Sequence, residues 1–292
     1  MFTKTILTIV AVFSLAALAC SVTINLPETR KFETGQTKAE DINIAYPSDT
    51  TGEPELTLKF GAGKLEVEPG DSDTLVSGTA EYNVVEFRPE VTTEGSQVTL
   101  STGDKIEFRG IPSFTGGKYI NNWDIKLGTA PMSLFINAGA YQGVIELGGL
   151  SLTSLRVTDG AADVKLSFSD LNAVEMDRLR YDTGASSVEL EGLANANFEE
   201  MLFKGGAGNY VIDFSGDLQR DATVDIDAGI SSVTIIVPEG TAARLFVDRG
   251  LANVDIGGDW EKSGDDYTMS GDGPMLTINV NIGAGNLELR NR

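Results

Sequence analysis

From Leu134 to Leu289, apolar side chains recur two apart on both sides of a fixed glycine, and the frame repeats seven times. The glycines are Gly139, Gly160, Gly184, Gly206, Gly229, Gly250 and Gly283, separated by 21, 24, 22, 23, 21 and 33 residues. Five residues before them stand Leu134, Leu155, Leu179, Met201, Val224, Leu245 and Ile278. Three before stand Ile136, Val157, Tyr181, Phe203, Ile226, Val247 and Val280. Four after come Val164, Val188, Tyr210, Val233, Val254 and Leu287, and six after come Leu166, Leu190, Ile212, Ile235, Ile256 and Leu289. In the first copy the frame reads as slipping by two, with Ile145 and Leu147 in those slots. A period of two predicts strands with one buried face. The invariant glycine predicts a corner at which a side chain would obstruct the backbone.

Such corners bury a continuous core only by stacking, with equivalent strands of successive coils paired in parallel. The predicted fold is therefore all-β: a parallel β-solenoid with coils of roughly 22 residues, preceded by a less regular β region. The variable remainder of each coil, as in Phe168, Leu171 and Val174 or Leu193 and Phe198, predicts another wall with short helical turns. Upstream, Leu56-x-Leu58-x-x-Gly61-Ala62-x-x-Leu65-x-Val67 repeats the frame 78 residues before Gly139, so regular coils are not expected between them. VTTEGSQVTLS (91–101) reads as a hairpin around Glu94-Gly95, and YNVVEF and KIEFRG as further strands. The long last interval carries GGDWEKSGDDYTMSGDG (257–273), expected to be a solvated hairpin or loop, with Trp260 and Tyr267 folding it back onto the core.

The N-terminus has another character. Lys4 precedes an apolar run, Ile6 to Ala19, that is short for a membrane span and reads as a signal peptide over residues 1–19. Cys20, the only cysteine, follows Ala17-Leu18-Ala19 directly. That is where a lipobox places the cysteine that becomes the lipidated N-terminus, although Ala17 stands where such motifs usually have Leu. Cleavage by ordinary signal peptidase would instead release a soluble secreted protein. Residues 20–52 are polar and read as a tether, 53–122 as the irregular β module and 123–292 as the solenoid. Leu26-Pro27-Glu28-Thr29 resembles a sortase signal but has Arg30 in place of the required glycine and lies at the wrong end.

The formal net charge of −21 disfavours nucleic acid and anionic lipid headgroups as partners. With no histidine, zinc hydrolases of the usual kind and every Ser-His or Cys-His arrangement are excluded. Asp182-Thr183-Gly184-Ala185 matches the catalytic string of aspartic proteases, which need two carboxylates sharing a proton. The repeat supplies a simpler cause, because Asp182 fills a corner position held elsewhere by Asn137, Thr158, Lys204, Asp227, Asp248 and Asn281. A polysaccharide lyase or hydrolase is the alternative class, with Asp225 and Asp227 on one strand face as the best carboxylate pair. The outward row Lys165, Glu189, Val211, Thr234, Asp255 and Glu288 gathers no base at a recognisable spacing. Asp259, Glu261, Asp265, Asp266 and Asp272 lack the alternating oxygens of an EF-hand, so no metal, cofactor or catalytic residue is assigned.

Gly61 to Ser101 resembles the N-terminal module of the toast-rack proteins. Trp123 to Val157 and the later Gly-Ala repeats resemble the β-solenoid domains of adhesin-like proteins and the C-terminal domain of LiaF-like proteins, which respond to cell-wall-active antibiotics. The resemblance spans nearly all of the mature chain and implies no catalytic residues. The expectation is a non-catalytic extracytoplasmic protein, lipid-anchored through Cys20, that displays an acidic β-solenoid for binding, adhesion or envelope stress response. Its expected partners are a bacterial membrane, reached through the anchor, and envelope proteins or cell-wall glycans.

Overall fold

The computed structural model describes residues 32–48, 52–71, 73–103, 119–263 and 266–292. The leader, Cys20, the sortase-like string and the KIEFRG segment lie outside them. The protein is all-β. Its strands are β1 (Thr34–Ile44), β2 (Glu55–Pro69), β3 (Val76–Val84), β4 (Pro89–Glu94), β5 (Gln97–Thr102), β6 (Asn121–Leu127), β7 (Met132–Glu146) and β8 (Leu152–Asp159). They continue as β9 (Ala161–Ser167), β10 (Met176–Glu191), β11 (Phe198–Asp213), β12 (Ala222–Val237), β13 (Ala243–Ile256), β14 (Glu261–Ser263), β15 (Asp266–Met269) and β16 (Leu276–Asn291).

The long strands are bent rungs. In β10, Leu179, Tyr181 and Thr183 are buried, Gly184 and Ala185 both face out, and Ser186, Val188 and Leu190 are buried again. Two consecutive outward residues reverse the alternation, so both arms of the strand face one interior around a corner. Neighbouring rungs pair in parallel with the glycines aligned: Tyr181 lies opposite Phe203 and Val157, and Val188 opposite Tyr210 and Val164. Strands β8 and β9 are the two arms of one rung, each lying between β7 and β10. The inward columns stack into one continuous core. Leu134, Leu155, Leu179, Val224, Leu245 and Ile278 are completely buried, as are Leu166, Leu190, Ile212, Ile235 and Leu289.

The segment that links one rung to the next is irregular. After β10, Gly192 (φ 67°) and Asn197 (φ 55°) bracket a 3-10 turn, Leu193–Ala196, which places Leu193, Ala196 and Phe198 inside. Asparagine side chains replace missing ladder bonds there. Asn172 donates from Nδ2 to the carbonyls of Leu152 and Val174 at 2.8 Å each and accepts the Leu152 N–H. Asn195, in the next such segment, donates to the Phe168 carbonyl and accepts from the Asp217 N–H.

Four expectations need correction. First, the stack does not follow chain order: β16 lies between β12 and β13, so the rung of Gly283 precedes that of Gly250. The reason lies in the residue before the glycine, which points inward in the stacked rungs: Asp159, Thr183, Ala228 and Ile282 are buried there. Strand β13 has Arg249 at this position, exposed, and a guanidinium cannot be sandwiched between two apolar layers. Strand β16, with Ile282, can be, and the 33-residue interval lets the chain form the β14–β15 hairpin and return. Second, β7 does not slip. Gly143 takes the slot of Val164 and Ile145 that of Leu166. The Tyr141 ring fills the room left at Gly143, where an added Cβ would meet the ring at 2.7 Å. Third, residues 34–44, read as tether, form β1, paired antiparallel with β3. Fourth, the end of YNVVEF, Val85–Phe87, is a 3-10 turn.

Other expectations hold. Strand β2 carries the predicted frame and stacks directly on β7, with Phe60 opposite Ala138 and Leu65 opposite Gly143. Strands β4 and β5 form the hairpin around Gly95. Strands β14 and β15 form the hairpin of the long interval, laid along the first arm of β13, with Trp260 and Tyr267 against the core.

Candidate functional site

Aligned glycines leave the corner bare. A Cβ on Gly184 would lie 2.4 Å from the Gly160 carbonyl, one on Gly206 2.5 Å from that of Gly184, and one on Gly229 2.4 Å from that of Gly206. Only glycine permits the rungs to approach this closely. Along the corner runs an open groove of about 770 Å³. Thr158, Asp182, Lys204, Asp227 and Asn281, one from each of five adjacent rungs, line it beside the glycines. Alternating strand geometry turns these side chains outward, and register sets them one above another.

Asp182 is thus a wall residue of this groove. Its rung neighbours are Thr158 and Lys204, so the stack brings no second carboxylate beside it. Arg180 donates to both its oxygens, at 2.5 and 3.0 Å, and Arg156 stands 3.8 Å away. Asp225 and Asp227 share a strand face as expected, but each is engaged by the next rung: Asn279 donates to Asp225 at 2.8 Å and Asn281 to Asp227 at 3.4 Å. Lys204 lies 3.8 Å from Asp227. The row five after the glycines pairs locally, with Lys165 held 2.7 Å from Glu191. A second depression of about 330 Å³ lies among Lys64, Glu66, Gln142, Asp163, Lys165 and Glu189 on the other arm. Among the described residues no group of three or more His, Cys, Asp or Glu is placed to hold a metal ion.

Periodicity did not reveal the most unusual feature. Asp159, just inside the corner and 7% exposed, is a buried carboxylate. It accepts a hydrogen bond from the Tyr181 hydroxyl at 2.7 Å and others from the hydroxyls of Thr183 and Ser186. Ser186 in turn accepts the Ala162 N–H. The Tyr141 hydroxyl is buried beside the same carboxylate without a hydrogen bond of normal geometry. Burial pushes the Asp159 pKa up, and the surrounding hydroxyls only partly offset this. Burial likewise raises Tyr141 and Tyr181 above the ordinary phenol range. The signal was present in the sequence: Asp159 and Thr183 are polar where Ala228 and Ile282 are apolar. Without the stacking order, nothing showed that these positions meet.

The family model for the N-terminal domain of toast_rack, DUF2154, matches residues 33–178 and again 171–236. The chain belongs to this family. In this toast-rack chain the two matches together run from β1 through β12. No curated protein matches it. Solved structures similar to the toast-rack chain include a candidate cell adhesion protein from Clostridium sporogenes, at 19% identity and TM-score 0.47, covering 88% of this chain and 100% of that one. A candidate adhesin from Bacteroides fragilis has 10% identity and TM-score 0.33, covering 87% and 97% respectively. A candidate lipid binding protein from Parabacteroides distasonis has 11% identity and TM-score 0.33, covering 88% and 97%.

Proposed function

We propose that this chain is a non-catalytic binding protein of the bacterial envelope, a β-solenoid with coils of roughly 22 residues held to a membrane by lipid on Cys20. The observation that carries the reading is the in-register stacking of outward residues. Arg156 lies beside Arg180, Thr158 beside Asp182 and Lys204 beside Asp227. Chemistry is spread in rows along a rigid face instead of converging on a point where one bond could be attacked. Such a face suits recognition of an extended partner, for adhesion or for sensing envelope stress. The leader and the placement of Cys20 support an extracytoplasmic, anchored position. Three experiments test this. Crosslinking on intact cells should capture a reproducible envelope partner, and cleavage of a polysaccharide panel by the purified chain would refute the reading. Palmitate labelling should mark the wild type and not Cys20→Ala; equal labelling removes the anchor.

A further inference from the structure

We propose that the second arm of β13, Leu251 to Ile256, is a docking edge for one extended strand of a partner protein, with apolar residues alternating with Lys or Arg. The site lies apart from the outward rows on which the binding-protein reading rests. The ladder is unfinished there. Strand β16 pairs with both arms of β13, from Ala243 to Ile256. On the far side β15 pairs only with Ala243 to Phe246, and no strand among the described residues pairs with the rest. Backbone N–H and C=O groups are thus left open along the arm, and another strand is what continues such a row.

The core is unfinished at the same place. Val254 and Ile256 stand in the inward columns of Val233, Ile235, Leu287 and Leu289, which are completely buried. In β13 both are only half-buried, as is Ala252. A strand laid along the arm with its own apolar residues inward completes these columns. Charges that guard an edge are sparse here. Asp248 and Arg249 come before the corner at Gly250, and from Leu251 to Ile256 the one charge is Asp255. Leu251, 90% exposed, adds apolar surface beside the edge.

Shape and charge select the occupant. The hairpin of β14 and β15 raises the first wall two strands, about 10 Å, beyond β13, while the second wall stops at β13. A second copy pairing edge to edge brings its own raised wall to within one strand spacing, about 4.8 Å. A single strand instead fits the step beside the hairpin. The outward face of the step is acidic. Asp255 lies next to Glu288, and Asp248 and Asp259 flank the arm, against the one cation Arg249. None of these three aspartates has an ion-pair partner among the described residues. Basic residues on the outward side of the added strand complement them, between the apolar residues that face inward.

The test is fluorescence anisotropy of the purified full chain with labelled, end-capped nonapeptides that alternate Val with Lys, with Ser or with Glu. The Val-Lys peptide should bind best, about tenfold more tightly than Val-Glu. Its binding should slow amide hydrogen exchange in residues 251–256. Asp255→Lys, at an exposed position, should cut the preference for Lys over Glu about fivefold with thermal unfolding unchanged. Val254→Lys sets a charge inward at the edge and should abolish binding; should it also lower the melting temperature, Asp255→Lys decides. The proposal is overturned if no peptide binds, if exchange at 251–256 is unchanged on binding, or if Asp255→Lys keeps the wild-type preference. Sedimentation showing a dimer that Val254→Lys dissociates would also overturn it. Each of these failures leaves the outward rows, and the binding-protein reading built on them, in place.

Discussion

Replacing Gly206 by alanine tests the stacked corner directly. The new Cβ would sit 2.5 Å from the Gly184 carbonyl oxygen and 3.3 Å from its carbon, both backbone atoms that no rotamer change can move aside. The rungs must part by roughly half an ångström, which forfeits a quarter to a half of the dispersion at each contact so loosened. Overpacking of this kind costs about 1–3 kcal/mol, and the ladder bonds stretched beside it about 1 kcal/mol each. The backbone of Gly206 is not in the left-handed region, so alanine recovers roughly 0.4–1 kcal/mol through the unfolded chain. The net loss is about 2–3 kcal/mol, or roughly 3–6 °C in melting temperature for a chain of this size. Gly184, Gly229 and Gly250 should behave alike, with nearest carbonyls at 2.4 Å, whereas Gly160 and Gly283, at 3.0 Å, should suffer clearly less. The clash at Gly250 is with the Gly283 carbonyl, so its severity reports on the inverted order of the last rungs. Thermal and urea unfolding of the six variants measures the series. Equal, small losses at all six positions would refute close stacking at the corner.

Val188→Asp should cost about 4 kcal/mol or more, because it buries a carboxylate without partners in a column of apolar side chains; a wild-type urea midpoint would remove the inward register. Asp159 gives a pH dependence with a definite sign. Its folded pKa is raised, so its contribution is intact below the unfolded value of about 4 and is lost as pH rises through the folded value, when the buried carboxyl must ionise. Asp159→Asn should remove that component, so the wild type should lose stability relative to the variant as pH rises; parallel curves by urea unfolding would refute the assignment. Asp182→Asn, which keeps an acceptor for Arg180, should change stability by less than about 1 kcal/mol and affect no peptide cleavage. A peptidase activity abolished by that substitution would restore the protease interpretation.

What could be read in the sequence depended on redundancy. The column positions were legible because each is repeated in every rung: Leu179 or Ile226 alone says little, but seven apolar residues at one offset specify a face. Where one rung departs from the rest, the reading failed. Tyr141 and Gly143 exchange volume within β7, which looks like a frame slip until the register is known. Arg249 looks like ordinary variation at a corner, yet it decides which rung ends the stack. Strand β1 was missed for another reason. From Thr34 to Ile44 only Ile42 and Ile44 are buried, so an edge strand has the composition of a linker. The wall of the groove was half legible, since Asp182, Lys204 and Asp227 shared one offset, but its depth depends on the bare glycines and the small Gly205 and Ala228.

A parallel stack has no intrinsic length, so something must stop it at each end, and here both ends change to antiparallel pairing. At the start, the first arm of β2 is followed by β5 and β4, and the second by β6, β3 and β1. At the finish, the first arm of β13 is covered by β15 and then β14. The outermost strands are poor templates for further pairing. Strand β14 is three exposed residues long, β4 is almost wholly exposed, and β1 carries Lys38, Glu40 and Asp41. Arg249 and Asp248 add charge along the remaining open part of β13. Charged and short edges oppose the edge-to-edge growth that a stack of similar rungs invites. A further rung could join the stack at either end only by displacing strands already paired there.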